Sequence, residues 1–213
     1  MDLSHPIASV VPTLDGPVLE ALSRTTMPLT GRQVHRMAGS GSEAGVRKVL
    51  GRLASHGLVN VTPAGGSLLY TANRDHLAWP AVEILTAMRL ELFERLRERF
   101  GAWDPLAVHA SLFGSAARKD GGPGSDVDLL VVRPEACAED SEPWAGQVDQ
   151  LRADVQARTG NPCQVFQLDL PQLQRHIAAS DPLVSEWRRD AITLHGESLD
   201  AVLAQVDDSP TAS

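Results

Sequence analysis

The feature that most constrains the fold is an apolar run that begins with two aspartates, Asp126-Val-Asp-Leu-Leu-Val-Val132. Its apolar residues occupy consecutive positions, which predicts a strand buried on both faces. Side chains alternate along a strand, so Asp126 and Asp128 project from the same face. Two carboxylates in such a place repel each other unless a cation neutralises them, and hard oxygen ligands suit Mg²⁺ or Mn²⁺. The run therefore predicts a divalent-metal site at the start of a buried strand.

A second segment, Leu112-Phe-Gly-Ser-Ala-Ala-Arg118, supplies groups that suit a phosphate beside this metal. Gly114 follows a predicted strand, Ala107–Phe113, and lets the backbone approach a ligand closely. Ser115 can donate its hydroxyl and its backbone N–H to a phosphate, more favourably if a helix begins there. Arg118 lies one turn further on and can neutralise phosphate charge, with a solvated loop position as the alternative.

Together the two segments resemble a known signature. Phe113-Gly114-Ser115, then ten residues, then Asp126-Val127-Asp128-Leu129 resembles the motif of the DNA-polymerase-β-like nucleotidyltransferase superfamily. Within it, Gly-Ser-x-Ala-Arg followed by Ser-Asp-x-Asp-Leu resembles the minimal nucleotidyltransferases, a group that includes antitoxins of HEPN-type toxins. The resemblance covers about residues 85–200. It implies transfer of a nucleoside monophosphate from an NTP, with ATP as the first candidate, to a protein or RNA hydroxyl, with release of pyrophosphate.

The resemblance also implies roles for individual residues. Asp126 and Asp128 correspond to catalytic metal ligands. The residues implied to contact the nucleotide come from both halves of the motif: Gly114, Ser115, Arg118 and Ser125.

A third carboxylate is expected on a later strand, where it often acts as the base. The predicted strand Cys163–Leu168 is followed by Asp169, which lies between two leucines and fits the local pattern. Asp169 also lies two residues before Pro171, where it would cap the next helix. If the family register falls earlier, Gln164 or Gln167 takes the position and the third acid is missing. Asp169 is therefore a candidate catalytic acid, although its late place in the strand favours the helix cap.

Residues 12–75 have a different pattern, with three short helices followed by a β-hairpin. The helices are predicted at residues 17–24, 30–37 and 42–56, and the hairpin strands at residues 58–62 and 67–71. This order resembles a winged helix-turn-helix domain. The candidates for DNA binding lie on its third helix: Arg47, Lys48 and Arg52. The alternative is a polar helix face in a winged helix that binds protein.

The formal net charge of −8 is unevenly distributed. Residues 1–80 hold seven Lys/Arg and five Asp/Glu, a balance of +2, whereas residues 81–213 hold twelve and twenty-two, a balance of −10. The N-terminal part can therefore approach a phosphate backbone, and the C-terminal part mostly cannot. This asymmetry favours two domains with different tasks.

The predicted fold class is α/β: a small mixed-sheet nucleotidyltransferase domain at residues 79–202, preceded by a winged helix-turn-helix domain at residues 1–78. Residues 203–213 are predicted to form a disordered tail. An amphipathic helix is predicted at residues 81–100. Its apolar stripe suits either core packing or a dimer seam: Leu85, Met88, Leu92, Leu96 and Phe100.

Composition limits the classes of protein and the cellular compartment that we expect. No apolar run approaches the ~20 residues of a membrane-spanning helix. Two cysteines form neither a disulfide framework nor a metal cluster. We expect a cytoplasmic protein without membrane partners, and a homodimer. Three functions stay open: a metal-dependent nucleotidyltransferase coupled to a winged helix that binds duplex DNA, a transcriptional regulator whose catalytically weak transferase domain senses a nucleotide, and an antitoxin of a toxin–antitoxin pair.

Overall fold

The apolar residues are shared among separate hydrophobic clusters, and the chain divides into two compact units. The computed structural model describes residues 1–207. The N-terminal unit comprises Asp2 and residues 4–90, and the C-terminal unit comprises Met1, Leu3 and the chain from Glu91 onward. The sequence analysis placed the domain boundary after residue 78, and those domain limits stay a prediction.

In the N-terminal unit, helices precede an antiparallel hairpin. Its elements follow a 3-10 turn at Pro6–Ser9: α1 (Asp15–Ser23), β1 (Leu29–Thr30), α2 (Gly31–Ala38), α3 (Glu43–Ser55), β2 (Val59–Ala64) and β3 (Ser67–Ala72). The strand order is β1-β3-β2, and both pairings are antiparallel. The three helices and the two hairpin strands lie within two residues of their predicted limits, whereas the short strand β1 and the 3-10 turn were not predicted.

Local signals explain why these helices begin and end where they do. Thr30 and Gln33 form a capping box at the start of α2, in which each side chain bonds the backbone N–H of the other. Gly39 ends the helix with φ of +65°, a conformation that glycine adopts without strain. The apolar faces of α1, α2 and α3 then share one core, which includes Val18, Leu22, Val34, Val46 and Leu50.

Helix α4 (Trp79–Gly101) begins in the N-terminal unit and ends in the C-terminal unit. In its C-terminal part, Leu92, Leu96 and Phe100 are buried in the core, which confirms the core-packing interpretation for these three residues. Leu85 and Met88 are half-buried.

The C-terminal unit is built on a mixed four-stranded sheet. Its elements are β4 (His109–Phe113), α5 (Gly114–Arg118), β5 (Val127–Val132), α6 (Glu142–Thr159), β6 (Cys163–Leu168), α7 (Leu170–Ala178), α8 (Pro182–Asp190), β7 (Ile192–Gly196) and α9 (Leu199–Asp207). The strand order is β6-β5-β4-β7. β5 is parallel to β6 and antiparallel to β4, and β4 is antiparallel to β7.

The sheet is covered on both faces, which explains the continuous apolar run of β5. Val127, Leu129 and Val131 pack in the cluster that includes α4 and α6. Leu130 and Val132 pack in the cluster that includes α7, α8 and α9. Asp128 has the same parity as the second set, so it projects toward the face that carries α8.

The prediction of a disordered tail at residues 203–213 is corrected in part. Residues 203–207 belong to α9, and Leu203 is buried with Val202 against the sheet-covering helices. This apolar face gives the segment a core to pack on, which overrides the polar composition that follows it. The remainder of the predicted tail, residues 208–213, lies outside the described residues.

Candidate functional site

The turn after β4 brings Gly114 directly against the carboxylate of Asp128. Gly114 begins α5 with φ of +69°. A Cβ at this position would lie 2.5 Å from Asp128 Oδ2, so a side chain here is excluded sterically as well as strained. Asp128 is also the register partner of Phe113. The two halves of the sequence motif therefore meet in space.

The loop between α5 and β5 folds back over Ser115. Gly121 is buried, and a Cβ built on it would lie 2.8 Å from Ser115 Oγ and 3.0 Å from Ser125 Oγ. Both hydroxyls therefore border the same stretch of backbone. The Ser125 carbonyl accepts a hydrogen bond of 2.8 Å from Asn161, whose side chain is buried, and this bond fixes the chain just before Asp126.

Negative charge is concentrated at the start of β5. Asp128 is half-buried, and burial raises the pKa of Asp128 above its usual value. The charge of Asp126 raises that pKa further, the Arg118 charge opposes the rise, and Glu186 on α8 adds to it. Ionised Asp128 is therefore an unfavourable charge that a bound cation would relieve.

Asp126 and Asp128 form an oxygen-only donor set, which fits a hard divalent cation. Mg²⁺ commonly binds through one or two carboxylates and completes its shell with waters and substrate phosphates. Across residues 1–207, no group of three or more His, Cys, Asp or Glu side chains is placed to hold a metal ion. A cation at these two aspartates therefore depends on ligands from water and from a phosphate substrate.

Asp169 does not lie beside these two aspartates. In the parallel pair of β5 and β6, the register partner of Asp128 is Gln164. Asp169 follows the end of β6, five residues beyond Gln164, which corresponds to about 16 Å along the strand. The glutamine register considered in the sequence analysis is therefore the one adopted, and β6 places no carboxylate opposite Asp128.

Asp169 is instead the N-cap of α7. Its side chain accepts a hydrogen bond of 2.7 Å from the backbone N–H of Gln172, and the Gln172 side chain accepts from Asp169 N at 2.8 Å. The guanidinium of Arg133, whose side chain is 7% exposed, donates to Asp169 Oδ2 at 2.8 Å. Asp169 therefore occupies the helix-cap position that the sequence favoured, at the other end of β6 from Gln164, and a catalytic role for Asp169 stays a prediction.

Arg118 ties α5 to α8. It donates from Nε to Asp120 at 2.8 Å and from Nη1 to Asp190 at 2.5 Å. These bonds, the one to Asp120 first, raise the pKa of Arg118. Asp190 ends α8, and its side chain is only 2% exposed. Arg118 is therefore held in an ion-pair network, which the loop alternative of the sequence analysis did not foresee.

The candidates for DNA binding differ in their surroundings within the N-terminal unit. Arg47 is 62% exposed and forms an ion pair of 3.1 Å with Glu43 one turn earlier on α3. Lys48 is exposed. Arg52 is paired with Asp15 of α1, which neutralises part of its charge.

A cleft of about 310 Å³ lies between the starts of α2 and α3 and the β2–β3 hairpin. Arg32 and Arg47 both line it, together with Gly66 and Ser67 of the hairpin. The hairpin itself contains no lysine or arginine. The positive charge at this surface therefore comes from the helices.

Sequence reasoning missed several residues around the site: Gly121, Glu186, Arg189 and Asp190. The run of glycines in Asp120-Gly-Gly-Pro-Gly124 was a usable signal for the first. The other three lie on α8, about seventy residues from the Gly-Ser turn, in a segment with no motif. Only the packing of α8 brings them near α5.

The Gly-Ser turn thus lies against an aspartate of a buried strand, which is the arrangement expected of an α/β protein that binds phosphate and metal. Residues 90–176 match the family model described as Nucleotidyltransferase domain. The match supports assigning this part of the chain to the nucleotidyltransferase superfamily and supports a general nucleotidyl-transfer function. Among curated proteins, no sequence matches the chain. Residues 1–207 include no helix that is both long and apolar enough to cross a bilayer.

Asp128→Asn should stabilise the metal-free protein at neutral pH. The raised pKa of Asp128 means that its protonated form favours folding at acid pH, and this contribution is lost as pH rises through the folded-state pKa. We expect thermal denaturation in chelator at pH 7 to give a Tm about 2–4 °C higher, the shift that ~1 kcal/mol produces at this chain length.

The gap between Asp128→Asn and wild type should close as pH falls below the ordinary carboxyl range. Asp149→Asn is the matched control, because Asp149 is 77% exposed and its pair with Arg152 lies on the surface of α6. A Tm for Asp128→Asn equal to or below that of wild type in chelator would contradict the charge repulsion inferred here.

Asp169→Asn should lower stability and leave nucleotide binding and nucleotidyl transfer unchanged. Asparagine can still cap α7, but the buried Arg133 guanidinium loses its charged partner. We expect the free energy of unfolding to fall by about 1–3 kcal/mol in denaturant titrations. A variant of unchanged stability that had lost nucleotidyl transfer would restore the catalytic role.

Proposed function

We propose that the C-terminal unit binds a nucleoside triphosphate, with ATP as the first candidate, together with Mg²⁺ or Mn²⁺. The observation that carries this proposal is the contact of the Gly114 backbone with the Asp128 carboxylate. A phosphate at the Gly-Ser turn would lie beside the carboxylates that hold the cation. Ser115 and Ser125 supply hydroxyl donors next to the same loop, and α5 presents its first backbone N–H groups there.

Nucleotidyl transfer is the reaction that this arrangement suits. In this reaction the oxygen of an acceptor hydroxyl forms a bond to the α-phosphorus of the NTP, and the hydroxyl proton passes to a base. The bond between the α-phosphorus and the oxygen that bridges it to the β-phosphorus breaks, and pyrophosphate leaves. A bound divalent cation would supply charge neutralisation on the phosphates. The protein's own contribution is positioning: Asp126 and Asp128 hold the cation, and the Gly114 turn orients the triphosphate.

The structure gives less support for a base that would accept the proton of the acceptor hydroxyl than for the triphosphate site. Transferases of this superfamily are expected to use a third carboxylate, and the β6 residue opposite Asp128 is Gln164. An amide neither takes up the acceptor proton nor adds negative charge for a second cation. We therefore favour a protein that binds and senses NTP and transfers nucleotide slowly to a protein or RNA hydroxyl.

Isothermal calorimetry should detect NTP binding that depends on the divalent cation. Asp126→Asn should remove most of the difference between titrations in Mg²⁺ and in chelator, because it removes one of two carboxylates that hold the ion. Asp149→Asn, which changes an exposed carboxylate on α6, should bind as wild type does. Equal affinity for wild type, Asp126→Asn and chelator-treated protein would refute the proposal.

One further assay distinguishes a nucleotide sensor from an efficient nucleotidyltransferase. With NTP labelled at the α-phosphate, a sensor leaves little label on protein or RNA, whereas an efficient transferase accumulates it. Robust labelling by wild type would show that another group does the work of the third carboxylate that the superfamily is expected to have, since β6 has Gln164 at that place. Glu186 would then be the first variant to examine, because its charge acts on Asp128.

We propose further that the N-terminal unit is a winged helix that binds duplex DNA, as part of a homodimer. Support comes from the order of its helices and hairpin, from the exposed Arg47 and Lys48 on α3, and from the Arg32 side chain in the cleft beside the hairpin. The pairing of Arg52 with Asp15 makes Arg52 a weaker contributor than the sequence suggested.

DNA binding should weaken with salt, since each neutralised phosphate releases counterions and contributes a log–log slope of roughly −0.9. Arg47→Ala combined with Lys48→Ala should lower affinity and reduce that slope by about 2. Arg24→Ala combined with Arg74→Ala removes two charges that lie neither on α3 nor in the cleft beside the hairpin, and should have a small effect. Fluorescence anisotropy at several salt concentrations measures both quantities. The absence of salt-dependent binding to any duplex would exclude this role.

A further inference from the structure

Helix α8 ends in an arginine network that the nucleotidyltransferase motif does not contain. The Asp190 carboxylate accepts three hydrogen bonds: from Arg189 Nε at 2.8 Å, from Arg189 Nη2 at 3.0 Å and from Arg118 Nη1 at 2.5 Å. Those from Arg189 and then Arg118 lower the pKa of Asp190 to about 2. Asp190 is therefore an ionised carboxylate at neutral pH, almost fully buried between two guanidinium groups.

The two arginines are close enough for their charges to act on each other. Arg118 belongs to the helix that begins at Gly114, so the pair is fixed beside the Gly-Ser turn. Arg189 remains 61% exposed although Asp190 bonds it through two nitrogens. Asp190 thus holds two guanidinium groups side by side, Arg118 being 36% and Arg189 61% exposed, and Asp120 is a second partner of Arg118.

The link between α5 and α8 does not by itself require the second arginine. Arg118 joins α5 to α8 through Asp190, whereas Arg189 pairs with its own neighbour in sequence and so ties no further element to α8. Guanidinium groups bind phosphate through paired N–H donors, and a fixed fork loses less entropy on binding than a mobile one. The network has the chemistry of a preorganised phosphate clamp.

We infer that Arg189, held by Asp190 alongside Arg118, contacts the terminal phosphate of the bound NTP, and that Asp190 is the positioning residue for both arginines. This inference rests on the proposed NTP binding at Asp126 and Asp128. It assigns the clamp to the phosphates rather than to the base, because α5 begins at the phosphate-binding turn.

Arg189→Ala tests the inference directly, because Arg118 still pairs with the buried Asp190 carboxylate, and a thermal melt of the variant checks that the fold is kept. Calorimetry with ATP, ADP and inorganic triphosphate, in Mg²⁺ and in chelator, should show about tenfold weaker binding of ATP and of inorganic triphosphate. The change for ADP should be smaller, since ADP lacks the terminal phosphate. Arg97→Ala is the matched control: it removes an arginine of α4 whose side chain is 40% exposed and pairs with surface Glu94.

Asp190→Asn should show the same preference for ligands with three phosphates, because both guanidinium groups lose their anchor. A merely structural Asp190 would instead lower Tm and weaken ATP and ADP equally. Arg189→Lys should recover part of the affinity, since it restores the charge without the fork.

The possible results distinguish failure of the arginine clamp from failure of NTP binding itself. If wild type binds ATP and Arg189→Ala binds it equally well, the clamp is refuted and the metal site stands. If wild type binds no NTP in either condition, the proposed function fails and the clamp fails with it. Weaker binding of Arg189→Ala that persists in chelator, where Asp126→Asn has no effect, supports a phosphate contact separate from the cation.

Discussion

The central constraint on the C-terminal unit is that β5, a strand packed on both faces of the sheet, has a pair of carboxylates at its start. Strand β5 fills hydrophobic clusters on both faces of the sheet and so cannot be moved or reversed without emptying a core. That rigidity holds Asp128 half-buried beside Asp126, and its pKa is raised by burial and by its neighbour. The absent side chain at Gly114 leaves the space that Asp128 occupies. The two carboxylates therefore repel each other, and a bound cation would relieve that repulsion.

Helix α8 completes the surroundings of this strand start from a distant part of the chain. The Trp187 ring packs edge-on against Phe113 with centroids 6.2 Å apart, and Phe113 is the register partner of Asp128. One turn of helix separates Glu186 from Asp190, so both project toward the same side. Apolar packing thus sets the position of α8, and that position brings the acidic Glu186 and Asp190 and the basic Arg189 toward the start of β5 and α5.

The N-terminal unit differs from the C-terminal unit in that its candidate functional residues are exposed basic side chains. The exposed Arg47 and Lys48 are presented on α3, whose apolar face packs with α1 and α2 through Val46 and Leu50. Ion pairs within the unit reduce the positive charge of this surface, since Arg52 pairs with Asp15 and Arg47 pairs with Glu43 one turn away. The basic surface is therefore smaller than a count of charges suggests.

The sequence by itself determined the elements whose signals are local. The strands Val127–Val132 and Cys163–Leu168 were predicted with their observed limits, because turn residues bound their apolar stretches, and the capping box at Thr30 likewise needs only neighbouring residues. The carboxylate of Asp169 suited both a cap and a catalytic acid, and only the register of β6 against β5 decided for the cap. The tertiary structure alone decided the pairing of Arg118 with Asp190, 72 residues apart. No local pattern encodes such a pair, because it depends on how α8 packs against α5 and β4, and that packing is set by the shape of the whole core.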